Sequence, residues 1–429
     1  MRPALRRLLP LTLAAAALAW AAFPAAAHEG QDPRPGAAYV DLEVLATPPI
    51  SGETSPGGQD GSVAVDRFGN VIAAALKEQS QRVVGVDGRS TTKTRLASWR
   101  WTSGDDGESF QNLGRSPAAF DILVPGGLST AAAADDAGHS YVAEAYGGLL
   151  VLTQATATER DSITADDTKV LAVGTGTQRV RVDAVGNATT SGRLHILAAS
   201  PSGVGDVAVW SGSVAALPAV PVPLAGAREC SLAADHLAGS RMVAVACSDA
   251  AGAVALWTSR DAGATFSKQL LTTTPALDPP SVSVGPDGTP WVLVTTGNTA
   301  ASHMTVYRVA RSVTRQDLTS EKGLWRGVVL DVSVKGRLGL AGYHLTPGDR
   351  TGWHVHLAIT TPGVAPVWVD FAGHDPVSAG AAGPPDSGPA VAFGPDARLH
   401  VLWGSTKETV PSSSTPLLRN IWSVRTLST

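Results

Sequence analysis

Short apolar segments alternate with turn residues along most of this chain. Each copy of the pattern has a strand of alternating polarity, a turn, and a second strand that is apolar on both faces. Alternation with a period of two is typical of β-strands, and a strand that is apolar on both faces is buried on both sides. Seven copies are present, at 62–71, 131–140, 179–188, 231–240, 281–290, 329–338 and 389–398.

The spacing of these copies predicts the architecture. Most copies follow one another at about 50 residues, a period that is typical of propellers built from four-stranded antiparallel blades. We therefore predict an all-β fold with one β-propeller of about seven blades, with six blades as the alternative. The turn position recurs at Gly69, Gly138, Gly186, Ala238, Gly288, Gly336 and Ala397.

The repeats account for one domain. The last copy runs out after its third strand, at 421–426, and an unassigned strand at 39–45 could supply the fourth. An open propeller would expose an unpaired sheet edge, so closure of the ring by this N-terminal strand is favoured. We expect a single propeller domain over 28–429.

The first 27 residues have the pattern of an export leader. Three arginines precede a short apolar run, and small residues at 25–27 form a cleavage signal before His28. This pattern predicts a signal peptide at 1–27 and a secreted, extracellular protein, because the run is too short for a comfortable membrane span. Sec export and twin-arginine export both stay open.

Charge and composition argue against two classes of partner. The chain carries 33 basic and 37 acidic residues, a net charge of −4, without a basic stripe. Nucleic acid is therefore not an expected partner. No second long apolar run follows the leader, so we expect no membrane span. We expect a monomer, since a closed ring needs no second copy to be stable.

The two cysteines fit the hairpin of the fourth repeat. Cys230 lies on its first strand and Cys247 on its second, and a turn at 235–240 places them opposite each other. In an exported protein this arrangement predicts a disulfide within the blade. Two buried thiols are the alternative.

Two segments, 101–110 and 257–266, share the pattern W-T-S-x-D-x-G-x-[ST]-F, and we call them the WTS turns. The aspartate can accept hydrogen bonds from the backbone of the turn, the glycine can take a positive φ, and the phenylalanine can pack beneath. These roles fall on Ser103, Asp105, Gly107 and Phe110 in the first turn and on Ser259, Asp261, Gly263 and Phe266 in the second.

The WTS turns resemble the Asp boxes of sialidases and other BNR-repeat propellers. The resemblance implies that they connect third and fourth strands on the face away from an active site, where their aspartates are structural. For a working sialidase it also implies three arginines on the substrate carboxylate, a Tyr–Glu nucleophile pair and an Asp acid/base. The Arg-Ile-Pro motif that typically carries the first arginine is absent from this sequence.

Strand order predicts where a ligand would bind. The upper face should hold the residues before each first strand and those at the end of each second strand. Glu144 with Tyr146 is the candidate catalytic pair, because a carboxylate on an apolar strand invites a raised pKa or a cationic partner. A solvated or ion-paired rim carboxylate is the alternative. Candidate ligand-binding residues are Arg179, Arg228, Glu229, Arg326, Lys77 and His344.

Two histidines, His354 and His356, alternate on one predicted strand. Such a pair places both imidazoles on one face, which is a common metal-binding geometry, and His374 and Asp375 could add ligands. The segment aligns with an inter-blade strand of the fourth repeat, so packing between blades is the favoured interpretation. We expect no metal and no cofactor.

Binding is the expected function. The missing Arg-Ile-Pro motif and the presence of only five tyrosines weigh against sialidase chemistry. We expect an extracellular module that binds a carbohydrate or a protein through its upper face, although a fold alone decides no function. The alternatives are a divergent sialidase-like exo-glycoside hydrolase and another propeller enzyme that uses His344 or the His354/His356 pair.

Overall fold

The computed structural model describes 39–44, 53–115, 129–370, 378–379, 388–405 and 420–426, apart from 85, 87, 108, 161, 175–178, 188–189, 202–206, 219, 238, 299 and 349–351. All regular secondary structure in these ranges is β-strand. No helix that could cross a membrane occurs among them. The predicted leader at 1–27 lies outside the described residues.

Seven sheets form a seven-bladed β-propeller, as the repeats predict. The chain begins with β1 (Tyr39–Val44), which joins the last blade. Blade one has β2 (Glu53–Val65), β3 (Val71–Val84), β4 (Ser90–Ser103) and β5 (Gln111–Arg115). Blade two has β6 (Ser129–Ala134), β7 (His139–Tyr146), β8 (Leu149–Ala157) and β9 (Ile163–Ala172). Blade three has β10 (Arg181–Asn187), β11 (Thr190–Ala199), β12 (Val207–Gly212) and β13 (Val222–Leu224).

The remaining blades repeat the same antiparallel order. Blade four has β14 (Cys230–Ala234), β15 (Val243–Ser248), β16 (Val254–Ser259) and β17 (Ser267–Thr272). Blade five has β18 (Ser281–Val284), β19 (Pro290–Gly297), β20 (Ser302–Val309) and β21 (Val313–Asp317). Blade six has β22 (Leu324–Val332), β23 (Leu338–Leu345), β24 (Gly352–Thr360) and β25 (Val369–Asp370), and β26 (Ser378–Ala379) also pairs with β24. Blade seven has β27 (Ala390–Phe393), β28 (Leu399–Ser405) and β29 (Asn420–Thr426).

The N-terminal strand completes blade seven. β1 pairs antiparallel with β29, and the sheet order is β1-β29-β28-β27. The first strand of each blade contacts that of the next blade, and β27 contacts β2, so the ring is closed. Strand pairing between the two ends of the chain therefore removes the edge that an open ring would leave.

Apolar side chains fill the space between neighbouring blades. Blades two and three enclose one cluster that includes Leu152, Ile196 and Trp210, and blades five and six enclose another that includes Met304 and Trp325. The second strands are buried on both faces, because each blade is covered on both sides by a neighbour. Burial of each such side chain contributes about 1.5–3 kcal/mol.

The first strand of each blade is its inner strand, and polar side chains of these inner strands connect one blade to the next. Ser62 accepts a hydrogen bond from the Ala132 N–H (2.9 Å), and Asp183 accepts one from the Ala234 N–H (2.7 Å). The first strand is the edge of its sheet. The N–H groups on its free edge have no partner within the sheet and need another acceptor. Further bonds of this kind run from Val180 N to Ser129, from Leu330 N to Ser281, from Val332 N to Ser283, and from Phe393 N to Asp331.

The hairpins between first and second strands differ in two blades from the sequence-based alignment. A positive φ occurs at the predicted positions Gly69, Gly138, Gly288, Gly336 and Ala397. In blade three, Gly186 lies inside β10, so the turn comes later. In blade four, the positive φ belongs to Gly239, one residue after the aligned Ala238. An alignment of turn residues places the turn wrongly when the length of a hairpin differs from that of the other copies.

The two WTS turns have the same hydrogen bonds. In the first, the Ser103 hydroxyl donates to Asp105 (2.6 Å), and the Gly107 N–H donates to Ser103 Oγ (2.7 Å). The Ser109 N–H donates to Asp105 (2.9 Å). These bonds recur at 2.7, 2.7 and 2.9 Å among Ser259, Asp261, Gly263 and Thr265. Both turns connect a third strand to a fourth, so the aspartates hold the turn together.

The glycines and phenylalanines of the WTS turns also have the expected places. Gly107 and Gly263 have φ values of 84° and 85°, a conformation that glycine adopts without steric cost. Phe110 and Phe266 are partly buried and pack on apolar clusters of their blades.

An ionic cluster joins blade one to blade seven. Asp106, in the first WTS turn, accepts a hydrogen bond from Arg425 Nη1 (2.9 Å) and pairs with Arg398. His400 Nε2 lies 3.3 Å from the same carboxylate, and burial lowers the pKa of His400 to about 4. The second WTS turn has Ala262 at the equivalent position. Of the two WTS turns, the first therefore carries this aspartate at the contact between blades one and seven, where the ring closes.

The predicted disulfide is confirmed. Cys230 on β14 and Cys247 on β15 are register partners and are bridged, with 17 residues of sequence separation. Both cysteines are buried in the cluster between blades three and four. The bond therefore ties the inner strand of blade four to its second strand.

Loss of this disulfide should destabilise the protein measurably. Closing a loop of this length stabilises by about 3 kcal/mol, chiefly through the unfolded chain. We expect the Cys230→Ala/Cys247→Ala variant to unfold at a lower urea concentration than the wild type. Dithiothreitol should bring the wild type to the same midpoint and leave the variant unchanged. A variant with the wild-type midpoint would show that the bond does not contribute.

Candidate functional site

The predicted catalytic carboxylate lies between two blades. Glu144 is on β7 and is 3% exposed, and its charge acts on Arg100, which is on β4 of the neighbouring blade. Burial lowers the pKa of Arg100, and the negative charge of Glu144 opposes that shift. Glu144 therefore has a cationic partner within the blade interface. The side chain of Tyr146, the other member of the predicted pair, lies outside the described residues.

Charged residues precede or begin the first strands of blades four, five and six, on the predicted upper face. Arg326, at the start of β22, donates to the Leu277 carbonyl (2.8 Å) and to Asp278 (3.3 Å). Asp278 also accepts a hydrogen bond from the Gly327 N–H (3.0 Å). Burial raises the pKa of Asp278, Arg326 opposes this shift, and the negative charge of Glu229 adds to it. Glu229 precedes the first strand of the adjoining blade four, and we call Glu229, Asp278 and Arg326 together the mouth arc.

Two further predicted arginines are on the same face. Arg179 precedes β10 of blade three, and its positive charge acts on Tyr343 of blade six, which is not a neighbouring blade. Arg228 is exposed, and its backbone N–H donates to the Ser248 carbonyl beside the start of β14.

The predicted ligand-binding residue His344 does not join the mouth arc. His344, at the end of β23, is 2% exposed and stacks on Trp325 with ring centroids 4.3 Å apart. Burial, reinforced by the nearby His356, lowers the pKa of His344 to about 4, so its ring is neutral at pH 7. The side chain of Lys77 lies outside the described residues.

A second set of charges lies at the lower end of the channel. His236 Nε2 is 3.2 Å from Asp183 Oδ1. Burial disfavours the charged imidazole, but Asp183, supported by Asp136 and Asp331, raises the pKa of His236 to about 9. Protein surrounds the ring on the channel wall, although 43% of its side chain stays accessible to solvent, so solvent screens part of the effect.

Sequence reasoning missed three residues of these sites. Asp278 precedes the first strand of blade five, and applying the offset of Arg228 and Arg326 from the aligned turn residue to that blade would have found it. Arg100 could not be found in this way, because its pairing with Glu144 depends on how two blades face each other. Glu321, whose carboxylate lies 3.7 Å from His344 Nδ1, is on the connection between β21 and β22, which the repeat pattern does not cover.

Comparison with known proteins gives similarities of fold. No protein-family model and no curated protein matches this chain. A solved protein of unknown function from Dyadobacter fermentans is 11% identical over 92% of this chain and 100% of its own, with a TM-score of 0.48. A lectin from Burkholderia pseudomallei is 15% identical over 83% and 98%, with a TM-score of 0.49. A sialidase from Trypanosoma rangeli is 9% identical over 86% and 53%, with a TM-score of 0.42.

The pairing of Glu144 with Arg100 can be tested by a double-mutant cycle. Removing one of two opposite charges inside the blade interface leaves the other less compensated, so we expect Glu144→Gln to lower the free energy of unfolding. The double variant Glu144→Leu/Arg100→Met should lose less than the sum of its single variants. Urea unfolding measures all of them. Additive losses would mean that the two charges do not interact.

Stability should fall as the solution becomes alkaline. The folded-state pKa of His236 is raised from 6.5 to about 9, so its stabilising effect is complete below pH 6.5 and is lost as the pH rises through 9. We expect His236→Gln and Asp183→Asn to flatten the fall of the urea midpoint over this range. An unchanged slope in both variants would contradict a protonated His236 in the folded protein.

Proposed function

We propose that this chain is an exported propeller that binds a carbohydrate at its upper mouth and has no sialidase activity. The observation that carries the proposal is the mouth arc, in which Arg326 and Asp278 of neighbouring blades are paired (3.3 Å) and the charge of Glu229 adds to the raised pKa of Asp278. Carboxylates accept hydrogen bonds from hydroxyl groups, and a guanidinium donates several in a fixed plane. A ligand rich in hydroxyl groups suits such a surface.

The position of Glu144 supports binding without hydrolysis. A catalytic carboxylate must come within hydrogen-bond reach of its substrate. Glu144 is buried between blades one and two, and its charge acts on Arg100. We therefore assign it a structural role within that interface.

One observation favours a second candidate, a divergent sialidase-like hydrolase. Arg179, Arg228 and Arg326 all precede first strands, and three arginines on one mouth could bind a sugar carboxylate. Arg326 already binds Asp278 and the Leu277 carbonyl, which leaves fewer of its donors for a ligand. Binding without hydrolysis therefore remains our first proposal.

The WTS turns support a place among BNR-type propellers. Their shared hydrogen bonds and their position between third and fourth strands agree with Asp boxes, and we propose this identity for both. Export from the cytoplasm is supported by the disulfide, since such bonds persist in oxidising compartments. Cleavage before His28 is part of the same proposal.

Binding and hydrolysis should be measured on the same preparation. The chain from His28 would be applied to a glycan array and incubated with a fluorogenic sialoside. We expect glycan binding without turnover. Turnover would overturn the proposal in favour of the hydrolase, and a folded protein that binds no glycan would point to a protein ligand.

The mouth arc can be tested with matched carboxylate variants. Loss of a hydrogen bond to a charged group costs about 1.5–3 kcal/mol, which corresponds to at least about tenfold in affinity. We expect Glu229→Gln/Asp278→Asn to lose that much glycan affinity. Glu159→Gln, an exposed carboxylate between β8 and β9, should bind as the wild type does. Equal binding by both variants would exclude the mouth arc as the site.

A further inference from the structure

Two histidines and a glutamate converge at the upper end of the interface between blades five and six. His356 Nδ1 lies 3.1 Å from the Glu321 carboxylate, and His344 Nδ1 lies 3.7 Å from the same oxygen. The three ligand atoms all lie within 4.8 Å of one another. The histidines are 2% and 9% exposed, whereas Glu321 is 33% exposed, so the cluster is buried on the protein side and accessible on one side only.

The tautomer of His344 is set by the backbone. Its Nε2 lies 3.1 Å from the Lys322 carbonyl oxygen, which can only accept a hydrogen bond, so Nε2 carries the proton. A neutral ring then presents its lone pair at Nδ1. That atom is buried and has no hydrogen-bond partner among the described residues. Histidines that bind metals characteristically donate their second ring N–H to a carbonyl or a carboxylate in this way.

A glycine allows the connection between blades to approach His344. Gly323 has a φ of +144°, and a Cβ at this position would lie 2.4 Å from His344 Nε2 and 2.6 Å from the Leu345 carbonyl oxygen. Any other residue would therefore displace the connection. The close approach brings both the Lys322 carbonyl and the Glu321 carboxylate against the imidazole.

Surrounding side chains hold the rings and add negative charge. Trp325 stacks on His344 and meets His356 edge-on, with ring centroids 4.3 and 5.4 Å apart. Asp370, the register partner of His356, has its carboxylate 3.5 Å from His354 Nδ1. A cation at the cluster would be attracted by the Asp370 carboxylate.

We propose, against our sequence-based expectation of no metal, that His344 Nδ1, His356 Nδ1 and the Glu321 carboxylate bind a divalent transition-metal ion of the Zn²⁺ type. Zinc–ligand distances of about 2.0–2.2 Å place the ligand atoms of a tetrahedral site roughly 3.4 Å apart, close to the 3.1 and 3.7 Å that separate the two histidine nitrogens from the Glu321 carboxylate. Two imidazoles and one carboxylate suit zinc, whereas Mg²⁺ and Ca²⁺ prefer oxygen ligands.

The proposed ion would stabilise the part of the upper surface that lies beside the mouth arc. It would join the connection that enters blade six to the second and third strands of that blade. Three protein ligands leave a fourth position for water on the accessible side. Trp325, which contacts both histidines, immediately precedes Arg326 of the mouth arc. The metal site does not depend on the proposed glycan binding, and its test does not use a glycan.

The test measures metal binding to the chain from His28, prepared without a polyhistidine tag and stripped with a chelator. We expect one equivalent of Zn²⁺ by mass spectrometry and by calorimetric titration, and no comparable binding of Mg²⁺ or Ca²⁺. Co²⁺ should give the visible absorption of a four-coordinate site. A folded protein that binds no zinc, or that binds calcium equally well, would overturn the proposal.

Three variants identify the ligands. Changes to partners beyond the ligands cost about 10–100-fold in metal affinity, so loss of a ligand should cost at least about 100-fold. We expect this loss in His344→Gln, His356→Gln and Glu321→Gln. Glu321 lies on a partly exposed connection, so its variant should fold even if the buried histidine variants do not. His303→Gln, which changes an exposed histidine on β20, is the matched control and should bind zinc normally. Wild-type affinity in Glu321→Gln would overturn the assignment.

Discussion

The first strand of each blade is an edge strand, and the backbone N–H groups on its free edge have no partner within the sheet. The ring depends on how these N–H groups are hydrogen-bonded. Serine and aspartate side chains of one inner strand accept hydrogen bonds from the backbone N–H groups of the next, as Ser62, Asp183 and Asp331 do. Because these acceptors reach across a blade boundary, the same bonds set the rotation of each blade relative to its neighbour. The apolar layers between blades supply most of the free energy, and the polar bridges give the ring its register.

Charged residues lie at the upper mouth, at the lower end of the channel and between blades, and their role differs from one place to the next. At the upper mouth, the Glu229, Asp278 and Arg326 side chains are partly accessible, as the proposed binding of a ligand requires. At the lower end, Asp183 bonds to the backbone of blade four and also holds His236, so one carboxylate serves packing and charge together. Between blades, charge is retained where a partner is close, as with Arg100 beside Glu144.

The fold was predictable because its signals are local and repeated. Alternating strands, turn positions and the paired cysteines each report on a single hairpin, and seven copies make the period visible. In blade three the alignment predicted the turn at the wrong position, because the hairpin has a different length and Gly186 lies inside β10. The sites were only partly predictable. Offsets along the chain place Arg326 and Glu229 on one face, but they cannot show that His344 turns from the mouth towards His356. That contact depends on strand register in blade six and on the path of the connection through Gly323.

The pairing of β1 with β29 makes completion of the fold depend on the order in which the chain is made. The first described strand is synthesised first, yet its partner is the last strand of the sequence. A contact between the two ends of a chain of 429 residues has the longest loop to close and gains nothing from local structure. Blades one to six can pair their own strands as they emerge, whereas the seventh must wait for β29. An emerging chain therefore keeps one sheet edge open, exposed to chaperones or to other copies, until β29 has been made.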